Sequence, residues 1–442
     1  MHKRVLVAMI AASLSLAGCA GGATSKIASP ERQQFIETAP PGLGPYFDAL
    51  YTEGEWSAVL HFNRLGLAAI DTGQFQLAER AFDQSLQRIE TIYADNPGAK
   101  KARGLWTAEG SKDFKGEPYE RSMAYYYRGL LFMRAGEFDN ARAAFRSAEY
   151  QDTLSEAELF QSDFALMPLL AGWASLCSGD SSMAQSFFDQ ARAQAPQVPL
   201  PQSGDDALTL FEAGASPTKA ADGEHGEMLR VLAPATVDAP GAEGWTLLGD
   251  IGYQATTRGG RPVDHILAGK AQFKETSGAI GEGAMAASAA LLNAAQYAST
   301  ADQMGDMANL GAAAGVIGLF ATVMSNQTKP KADTRYWDTL PAQVRGSFSS
   351  AAAGLPAVGA SPPRIDAQHP HCRVVVYRGA PADTASAGRG NLTDSERLKV
   401  LRRNARRDTA FRAALADTVG IVPIIDAPTS ASASASIEES AR

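Results

Sequence analysis

The sequence is poor in cysteine and lacks the short motifs by which many enzymes are recognised. Its 442 residues include three cysteines and six histidines. It contains no Gly-x-Ser-x-Gly elbow, no Walker loop and no His-Glu-x-x-His pair. The glycines within 278–283 lack the lysine and the Ser/Thr that a phosphate-binding loop needs. The sequence therefore predicts no catalytic residue, no cofactor and a protein that is not an enzyme.

The composition also argues against nucleic acid as a partner. The formal net charge is −8, so the chain lacks the basic excess that is typical of a polyanion-binding domain. Hydrophobic residues make up 45% and charged residues 20% of the chain, which is ordinary for a globular protein. The length allows two or three domains, since a domain usually takes about 100–200 residues.

The amino terminus has the pattern of a short export signal. Two basic residues precede an apolar run at 5–12, which is too short to span a bilayer because a spanning helix needs about 20 apolar residues. A Leu-Ala-Gly-Cys sequence ending at Cys19 resembles the lipobox of bacterial lipoproteins. That resemblance implies a signal peptide at 1–18, cleavage before Cys19 and acylation of Cys19, with palmitate among the chains. Ala20 in place of an aspartate favours an outer-membrane anchor facing the periplasm.

The other cysteines and histidines give weak signals. Cys177 and Cys372 lie far apart in differently patterned segments, so their spacing does not support a disulfide, although an oxidising periplasm permits one. The His-Pro-His-Cys sequence at 369–372 has the ligand types of a zinc or copper site but no clear fourth ligand. We interpret it as the junction of a loop with a strand that begins at Arg373, and we predict no metal site.

Three segments of the first half share one spacing of small and aromatic residues. A glycine is followed by a second glycine after seven residues, an alanine after five more and a phenylalanine after four more. The sets are Gly66, Gly73, Ala78, Phe82; Gly129, Gly136, Ala141, Phe145; and Gly172, Gly179, Ala184, Phe188. The first glycine allows two helices to approach closely, the second ends the first helix, and the alanine and phenylalanine share a face of the second helix.

This spacing resembles the tetratricopeptide repeat, a helix–turn–helix unit of about 34 residues that stacks into a superhelix with a concave face. Equivalent positions lie 63 and 43 residues apart, so additional segments interrupt the array. The resemblance implies an all-α repeat domain at 45–200, joined to the lipidated cysteine by a linker at 19–44. Concave-face residues of such arrays bind partner peptides. The candidate partner-binding residues are Asn63, Arg64, Tyr126 and Arg128.

The second half changes to short apolar or alternating runs bounded by glycine, proline and aspartate, which is the pattern of strands. These runs lie at 208–211, 228–232, 245–253 and 373–377, with a strand or a helix at 263–274. We therefore predict a smaller mixed α/β domain at 205–380 and an α+β fold for the whole chain. The Asp-Thr-Arg-Tyr-Trp sequence at 333–337 favours an arginine–aspartate pair with an indole covering a domain joint, and a binding site is the alternative.

An Ala/Gly-rich segment at 278–324 is the most ambiguous part of the chain. Alanine favours a helix, whereas the repeated glycines weaken one. The uncharged stretch 309–324 has 16 residues, short of the length of a membrane span. The preferred interpretation of 284–324 is a buried hairpin of close-packed helices. A membrane-inserted segment, a segment that forms a homo-oligomer and a disordered segment are the alternatives.

The carboxyl-terminal segment 381–442 combines a basic helix with a low-complexity tail. Thr393 and Glu396 have the spacing of a capping box that opens a helix. The basic residues of that helix are Arg397, Lys399, Arg402, Arg403, Arg406, Arg407 and Arg412. A solvated charged face is preferred over contact with anionic lipid or glycan. The Ser/Ala-rich stretch 428–442 is predicted to be disordered.

The chain also resembles a little-characterised family of tetratricopeptide-like lipoproteins of Gram-negative bacteria, over four stretches in one order: 114–121 leading into 126–130, 211–219, 278–323 and 332–341. That family has no established catalytic activity, and some members are encoded near lipoprotein activators of peptidoglycan synthases. The resemblance implies a lipid-anchored adaptor that binds an envelope protein, in peptidoglycan synthesis or outer-membrane complex assembly. Two alternatives stay open: a glycan-acting hydrolase or glycan-binding protein with its site in 205–380, and an oligomeric membrane component formed through 284–324.

Overall fold

The computed structural model of the chain describes residues 29–94, 109–152, 162–234, 237, 245–257, 331–354, 362–379, 388 and 390–420. Four predictions concern other parts of the sequence and stay predictions. They are the signal peptide with the lipidated Cys19, the strand or helix at 263–274, the nature of the segment 278–324 and the disordered tail 428–442.

The first part of the described chain is built from helices. Two short helices, α1 (Pro30–Glu37) and α2 (Gly44–Glu53), lead through a 3-10 turn at Gly54–Ser57 into a series of helix pairs. The pairs are α3 (Ala58–Asp71) with α4 (Phe75–Ala94), α5 (Pro118–Ala135) with α6 (Phe138–Asp152), and α7 (Leu166–Cys177) with α8 (Ser181–Gln194). A second 3-10 turn, Glu109–Ser111, precedes α5.

Each pair is a tight hairpin with the geometry that the repeated spacing predicts. The turn glycines have a left-handed backbone, which glycine adopts without strain: φ is 72° at Gly73, 77° at Gly136 and 85° at Gly179. The first glycine of each set faces the phenylalanine ring of the second helix, as Gly66 faces Phe82, Gly129 faces Phe145 and Gly172 faces Phe188. A Cβ atom at any of these three glycines would overlap the ring, so the close approach of the helices requires glycine.

The variant Gly66→Ala tests this close approach. A Cβ atom at residue 66 would lie 2.6 Å from Cε2 of Phe82, whose side chain is fully buried. Overpacking costs up to about 3 kcal/mol, more than the ~1 kcal/mol that alanine gains over glycine in helix propensity. We therefore expect a lower midpoint in urea unfolding. Gly44→Ala is the matched control, since its Cβ would meet Ile36 at an ordinary 3.6 Å. Equal midpoints for the two variants would contradict the argument.

The second part of the described chain forms two sheets. The strands are β1 (Ala207–Ala213), β2 (Thr218–Asp222), β3 (Met228–Leu232), β4 (Thr246–Asp250), β5 (Gln343–Ser349), β6 (Ile365–Gln368) and β7 (Arg373–Arg378). Five of them form one sheet in the order β4-β5-β1-β7-β6, and β2 pairs with β3 in a hairpin. The central strand β1 is antiparallel to β5 and parallel to β7, and it is buried along its whole length. Leu210 of β1 lies opposite Gly346 and Val376.

The predicted strands agree with this arrangement in part. The runs 208–211, 228–232 and 373–377 lie in β1, β3 and β7. The run predicted at 245–253 is a strand only as far as Asp250, because the Asp250 carboxylate accepts a hydrogen bond from the Tyr253 amide and begins a helix, α9 (Ile251–Thr256). Strands β2, β5 and β6 were not among the predicted strands.

Helix α10 (Asp394–Val419) begins at the predicted capping box, in which the Thr393 hydroxyl and the Glu396 carboxylate bond each other's backbone amides. It packs on the first helices, where the Phe411 ring meets the Phe62 ring edge-on at 6.2 Å. The residues predicted as a linker, 19–44, likewise contribute helix α1 to the body. None of the helices in the described ranges is both long and apolar enough to cross a bilayer.

One hydrophobic cluster connects the helices, the large sheet and α10. It includes Phe47 of α2, Leu170 of α7, Leu210 of β1 and Leu415 of α10, each at most 2% exposed. The predicted α+β class is therefore confirmed, with a helical first part followed by a five-stranded sheet. The two parts share their core, because the apolar helix faces are covered by strands and by the segment that precedes β5.

Candidate functional site

Of the four candidate partner-binding residues, two are buried and two are arginines that pair with carboxylates of the same chain. Asn63 and Tyr126 are 1% and 0% exposed. Arg64 donates from Nε to a carboxylate oxygen of Asp338 at 2.7 Å and from a terminal nitrogen to the carbonyl oxygen of Tyr336 at 3.1 Å. Arg64 therefore holds helix α3 to the segment before β5.

Arg128 has its contacts within the helical part. Its Nε donates to a carboxylate oxygen of Asp83 at 2.7 Å, and its guanidinium lies 3.6 Å from the centroid of the Phe132 ring. The arginine side chain is 12% exposed, so a partner would reach little of it. Partner binding by the four predicted residues stays a prediction. In this arrangement Asn63 and Tyr126 are buried, and Arg64 and Arg128 pair with carboxylates of the same chain.

The segment 331–340, here called the strap, crosses from the hairpin β2–β3 to the helices. Its Arg335 is 2% exposed and pairs with Asp333 at 2.7 Å. The same guanidinium donates to the carbonyl oxygens of Trp56 at 3.0 Å and Lys112 at 2.7 Å. It also lies 4.8 Å from the centroid of the Trp56 ring. The arginine–aspartate pair predicted from the sequence is therefore confirmed, and it holds the strap to the helical part.

Trp337 covers the joint as predicted. Its side chain is fully buried, with its ring centroid 6.1 Å from that of Phe82 and 5.8 Å from that of Tyr127. Its indole nitrogen donates to the Thr339 hydroxyl at 2.8 Å, and its backbone amide donates to the Glu120 carboxylate at 2.7 Å. The strap therefore has a structural role, which favours the first of the two interpretations of 333–337.

A fully buried ion pair lies beneath the strap. Nζ of Lys219 is 2.6 Å from Oε2 of Glu120, and the two side chains are 2% and 1% exposed. The same carboxylate caps helix α5, because it accepts the Glu117 amide at 2.7 Å. Lys219 also donates to the carbonyl oxygen of Arg335 at 3.3 Å. Helix α5, strand β2 and the strap therefore meet at one charged group.

A second buried charge lies between helix α5 and strand β1. Glu212 is fully buried and accepts a hydrogen bond from Arg364 at 2.6 Å, and Arg364 also pairs with Asp71. Burial, followed by the negative charge of Glu212, raises the pKa of the Tyr126 and Tyr127 hydroxyls well above their ordinary value. The two phenols therefore stay protonated beside the Glu212 carboxylate.

A third buried charge joins the first helices to α10. His61 Nε2 lies 2.8 Å from Oε2 of Glu53, and Glu53 also pairs with Arg397. Burial by itself raises the pKa of Glu53, but the charges of His61 and Arg397 and the hydrogen bond from His61 outweigh it. The pKa of Glu53 therefore lies well below its ordinary value of 4.5.

This lowered pKa predicts how stability changes in acid. A carboxylate whose folded-state pKa is depressed stabilises the fold above its unfolded pKa, and that contribution is lost as the pH falls towards the folded pKa. We expect the free energy of unfolding to fall below about pH 4.5 and Glu53→Gln to weaken that slope, measured by urea unfolding across pH. Glu37→Gln, on an exposed carboxylate, is the control. An unchanged slope in Glu53→Gln would contradict the assignment.

A cleft of about 370 Å³ opens beside α4. Its floor is apolar and consists of Val59 and Phe114, each 3% exposed. The polar side chains of its walls are Glu55, Gln84, Gln87, Arg88, Thr91 and Asp113. A volume of this size accepts one or two side chains of a bound peptide.

Bidentate ion pairs hold the charged walls of the cleft. Glu55 accepts two hydrogen bonds from Arg88, at 2.8 and 3.0 Å. Asp113 accepts two from Arg407 of α10, at 2.7 and 2.8 Å. Gln87 is exposed at the rim. Because ion pairs fix its walls, the cleft has a preformed shape. The exposed side-chain amide of Gln87 can donate hydrogen bonds to a peptide backbone or accept them from it.

The His-Pro-His-Cys sequence forms the turn between β6 and β7, as the junction interpretation predicts. His369 Nε2 lies 2.8 Å from the carbonyl oxygen of Met133. Cys372 forms a disulfide with Cys177, with the Cα atoms 5.2 Å apart. The sequence spacing of the two cysteines does not support this disulfide, because they are 195 positions apart and only the fold brings them together. The bonded sulfur of Cys372 is not a thiolate ligand for a metal.

Sequence reasoning missed several residues that organise this region. Lys219, Glu212 and Arg364 have no short-range pattern that marks them as buried partners. Glu120 had a readable signal, because the Glu117–Glu120 spacing before an aromatic helix is that of a capping box. The cleft residues come from α3, α4 and the loop before α5, and only folding reveals that they converge.

Comparisons with known proteins add no family. No protein-family model matches the chain, and no curated protein or solved structure is significantly similar to it.

Proposed function

We propose that the protein is a lipid-anchored adaptor of the bacterial envelope that faces the periplasm and binds a protein partner through its helical part. The anchor is Cys19, acylated at the outer membrane, and the partner acts in peptidoglycan synthesis or in assembly of an outer-membrane complex. The cleft beside α4 carries this proposal, because it is a preformed opening in the helical part with an apolar floor.

The disulfide supports export. Bonds of this kind form and persist in oxidising compartments such as the periplasm and are rare where thiols are kept reduced. Cys177 and Cys372 are 2% and 4% exposed, so their bond is part of the core. This observation agrees with the lipobox-like sequence that ends at Cys19, because a lipobox is found in proteins that are exported from the cytoplasm.

We further propose that the helix pairs are tetratricopeptide-like repeats. Support comes from their common geometry: a glycine facing a phenylalanine, followed by a left-handed glycine in the turn. The departure from such arrays is that the strap pairs with Arg64 of α3 and that Glu212 of the large sheet lies beside Tyr126 of α5. The proposed partner therefore binds at the rim of the cleft, where Gln87 and Thr91 are exposed.

The test is photo-crosslinking in cells. A photoreactive residue replaces Gln87 at the cleft or, as a matched control, Gln185, which is also exposed and lies on α8. We expect a reproducible envelope protein to be crosslinked from position 87 and not from 185. Gln87→Arg should then reduce affinity capture of that protein, and Gln185→Arg should leave it unchanged.

If positions 87 and 185 crosslink the same proteins to the same extent, binding at the cleft is contradicted. Failure of Cys19 to incorporate radiolabelled palmitate would contradict the anchor independently. Release of peptidoglycan fragments by the purified full chain would favour the hydrolase alternative instead.

A further inference from the structure

The basic side chains of α10 fall into two groups that face different surroundings. The first group pairs with the helical part: Arg397 with Glu53, Arg403 with the Ser111 carbonyl, Arg407 with Asp113 and Arg412 with the Tyr51 carbonyl. The second group is exposed and makes no ion pair or hydrogen bond with the described residues. Its members are Lys399, Arg402 and Arg406.

The second group forms one line on the outward face of the helix. Arg402 follows Lys399 by three residues, and Arg406 follows Arg402 by four. This spacing places the three side chains on one face of the helix, within about 11 Å along its axis. The buried residues Val400, Phe411 and Leu415 lie on the opposite face. Within α10 the acidic residue nearest this line is Glu396, three residues before Lys399, and its carboxylate accepts the Thr393 amide in the capping box. We call Lys399, Arg402 and Arg406 the basic stripe.

The chain enters the folded body next to the same helix. Ser29 lies 3.4 Å from Tyr51 through their hydroxyl groups, and Tyr51 accepts a hydrogen bond on its carbonyl from Arg412 of α10 at 2.7 Å. Ser29 lies ten positions after Cys19, and a chain of that length reaches at most about 35 Å. A lipid anchor at Cys19 therefore keeps this side of the body close to a bilayer surface.

We propose that the basic stripe is a docking surface for the anionic phospholipid headgroups of the membrane that holds the anchor. The inference rests on the proposed lipid anchor and adds a second, electrostatic contact to it. The whole chain has a net charge of −8, so an anionic surface repels most orientations of the body. Three outward cations on one helix face favour the orientation in which α10 lies against the headgroups.

This orientation has a consequence for the cleft. Arg407 of α10 pairs with Asp113 in the cleft wall, so α10 adjoins the cleft on its inward side. Docking of the stripe would hold the cleft at a fixed height above the membrane. The proposed envelope partner would bind to the cleft at that height. Several acyl chains on Cys19 would already hold the protein at the membrane, so the stripe would orient the body and not supply the anchor.

The test is sedimentation of the mature chain from residue 20 onward with vesicles, so that neither an acyl chain nor the apolar signal segment contributes. Vesicles of phosphatidylcholine are compared with vesicles that also contain phosphatidylglycerol. Each basic residue near an anionic surface adds to binding, so neutralising three of them should weaken binding to the anionic vesicles by about 100-fold. The test variant is Lys399→Gln with Arg402→Gln and Arg406→Gln.

The matched control removes the same three charges elsewhere, at the exposed Arg146, Arg192 and Arg230. We expect that control to keep most of the binding and the stripe variant to bind both vesicle types equally. Equal loss in the two variants would mean that total charge, and not the stripe, drives association, and would overturn the proposal. Binding of the chain to isolated peptidoglycan that depends on the stripe, without binding to vesicles, would assign it to anionic glycan and overturn it too.

Failure of this experiment is distinguishable from failure of the proposed function. Vesicle binding is measured without the acyl anchor and without a partner, whereas the adaptor role is measured by palmitate incorporation and crosslinking. The stripe variant should keep its far-ultraviolet circular dichroism and its unfolding midpoint, because all three side chains are exposed.

Discussion

Replacing Lys219 with methionine is expected to lower the free energy of unfolding by about 3–5 kcal/mol, measured by urea unfolding at neutral pH. The size of the effect follows from what the variant leaves behind. Without the ammonium group, the Glu120 carboxylate is a buried charge without its cation. Its exposed fraction is 1%, so water cannot replace the lost partner.

The surroundings of this pair explain why methionine is the informative substitution. Nζ of Lys219 lies 5.7 Å from the ring centroids of both Phe114 and Tyr119. A methionine side chain has a similar length and suits an aromatic environment, so the change removes the charge with little change in packing. The loss of stability then reports on the unpaired carboxylate more than on a cavity.

The control is the double variant that also carries Glu120→Gln. It removes both charges, and a glutamine oxygen can still accept one of the backbone amides of Glu117 and Trp337. We expect it to be more stable than Lys219→Met alone, because replacing a whole buried pair costs less than breaking it. A single variant within about 0.5 kcal/mol of the wild type would show that water reaches the pair.

The helix hairpins were predictable because their determinants are local. Gly73 lies only seven residues after Gly66, and both have conformational or steric requirements that glycine alone meets. The capping box at Thr393 and Glu396 is local in the same way, and helix α10 begins there. Short-range patterns of this kind are visible in one sequence because the interacting residues are less than about ten positions apart.

The sequence does not predict that the strap covers the helices, because the contacts between them join distant parts of the chain. Arg64 and Asp338 are 274 residues apart, and Trp337 and Glu120 are 217 apart. An apolar helix face predicts that something covers it, but periodicity does not say whether the cover is a partner or the same chain. The sequence alone therefore makes Tyr126 a candidate for binding, whereas the structure has it in the core.

The basic surface of α10 likewise depends on contacts between distant parts of the chain. The sequence places seven basic residues on α10 but does not tell which of them are neutralised. The structure separates them, because Arg407 lies against Asp113 whereas Arg402 meets no acidic partner in the described chain. The proposal of a basic stripe therefore depends on tertiary contacts that a charge count of the helix cannot supply.

Removing the disulfide is expected to lower the free energy of unfolding by about 2–5 kcal/mol. The bond closes a loop of 195 residues between the end of α7 and the start of β7. A cross-link over so long a loop restricts the unfolded chain strongly, which is one account of its stabilising effect. The variant is Cys177→Ala with Cys372→Ala, so that no free thiol remains at either site.

A reducing agent provides the matched comparison. Urea unfolding of the wild type with dithiothreitol should approach the midpoint of the double variant, and the double variant itself should not respond to the reagent. An unchanged wild-type midpoint under conditions that reduce the bond would contradict a stabilising role. Because Cys177 lies in the helical part and Cys372 beside β7, loss of the bond should also loosen the joint between helices and sheet. Faster amide exchange at β7 than at α4 after reduction would show that loosening directly, since exchange reports local opening.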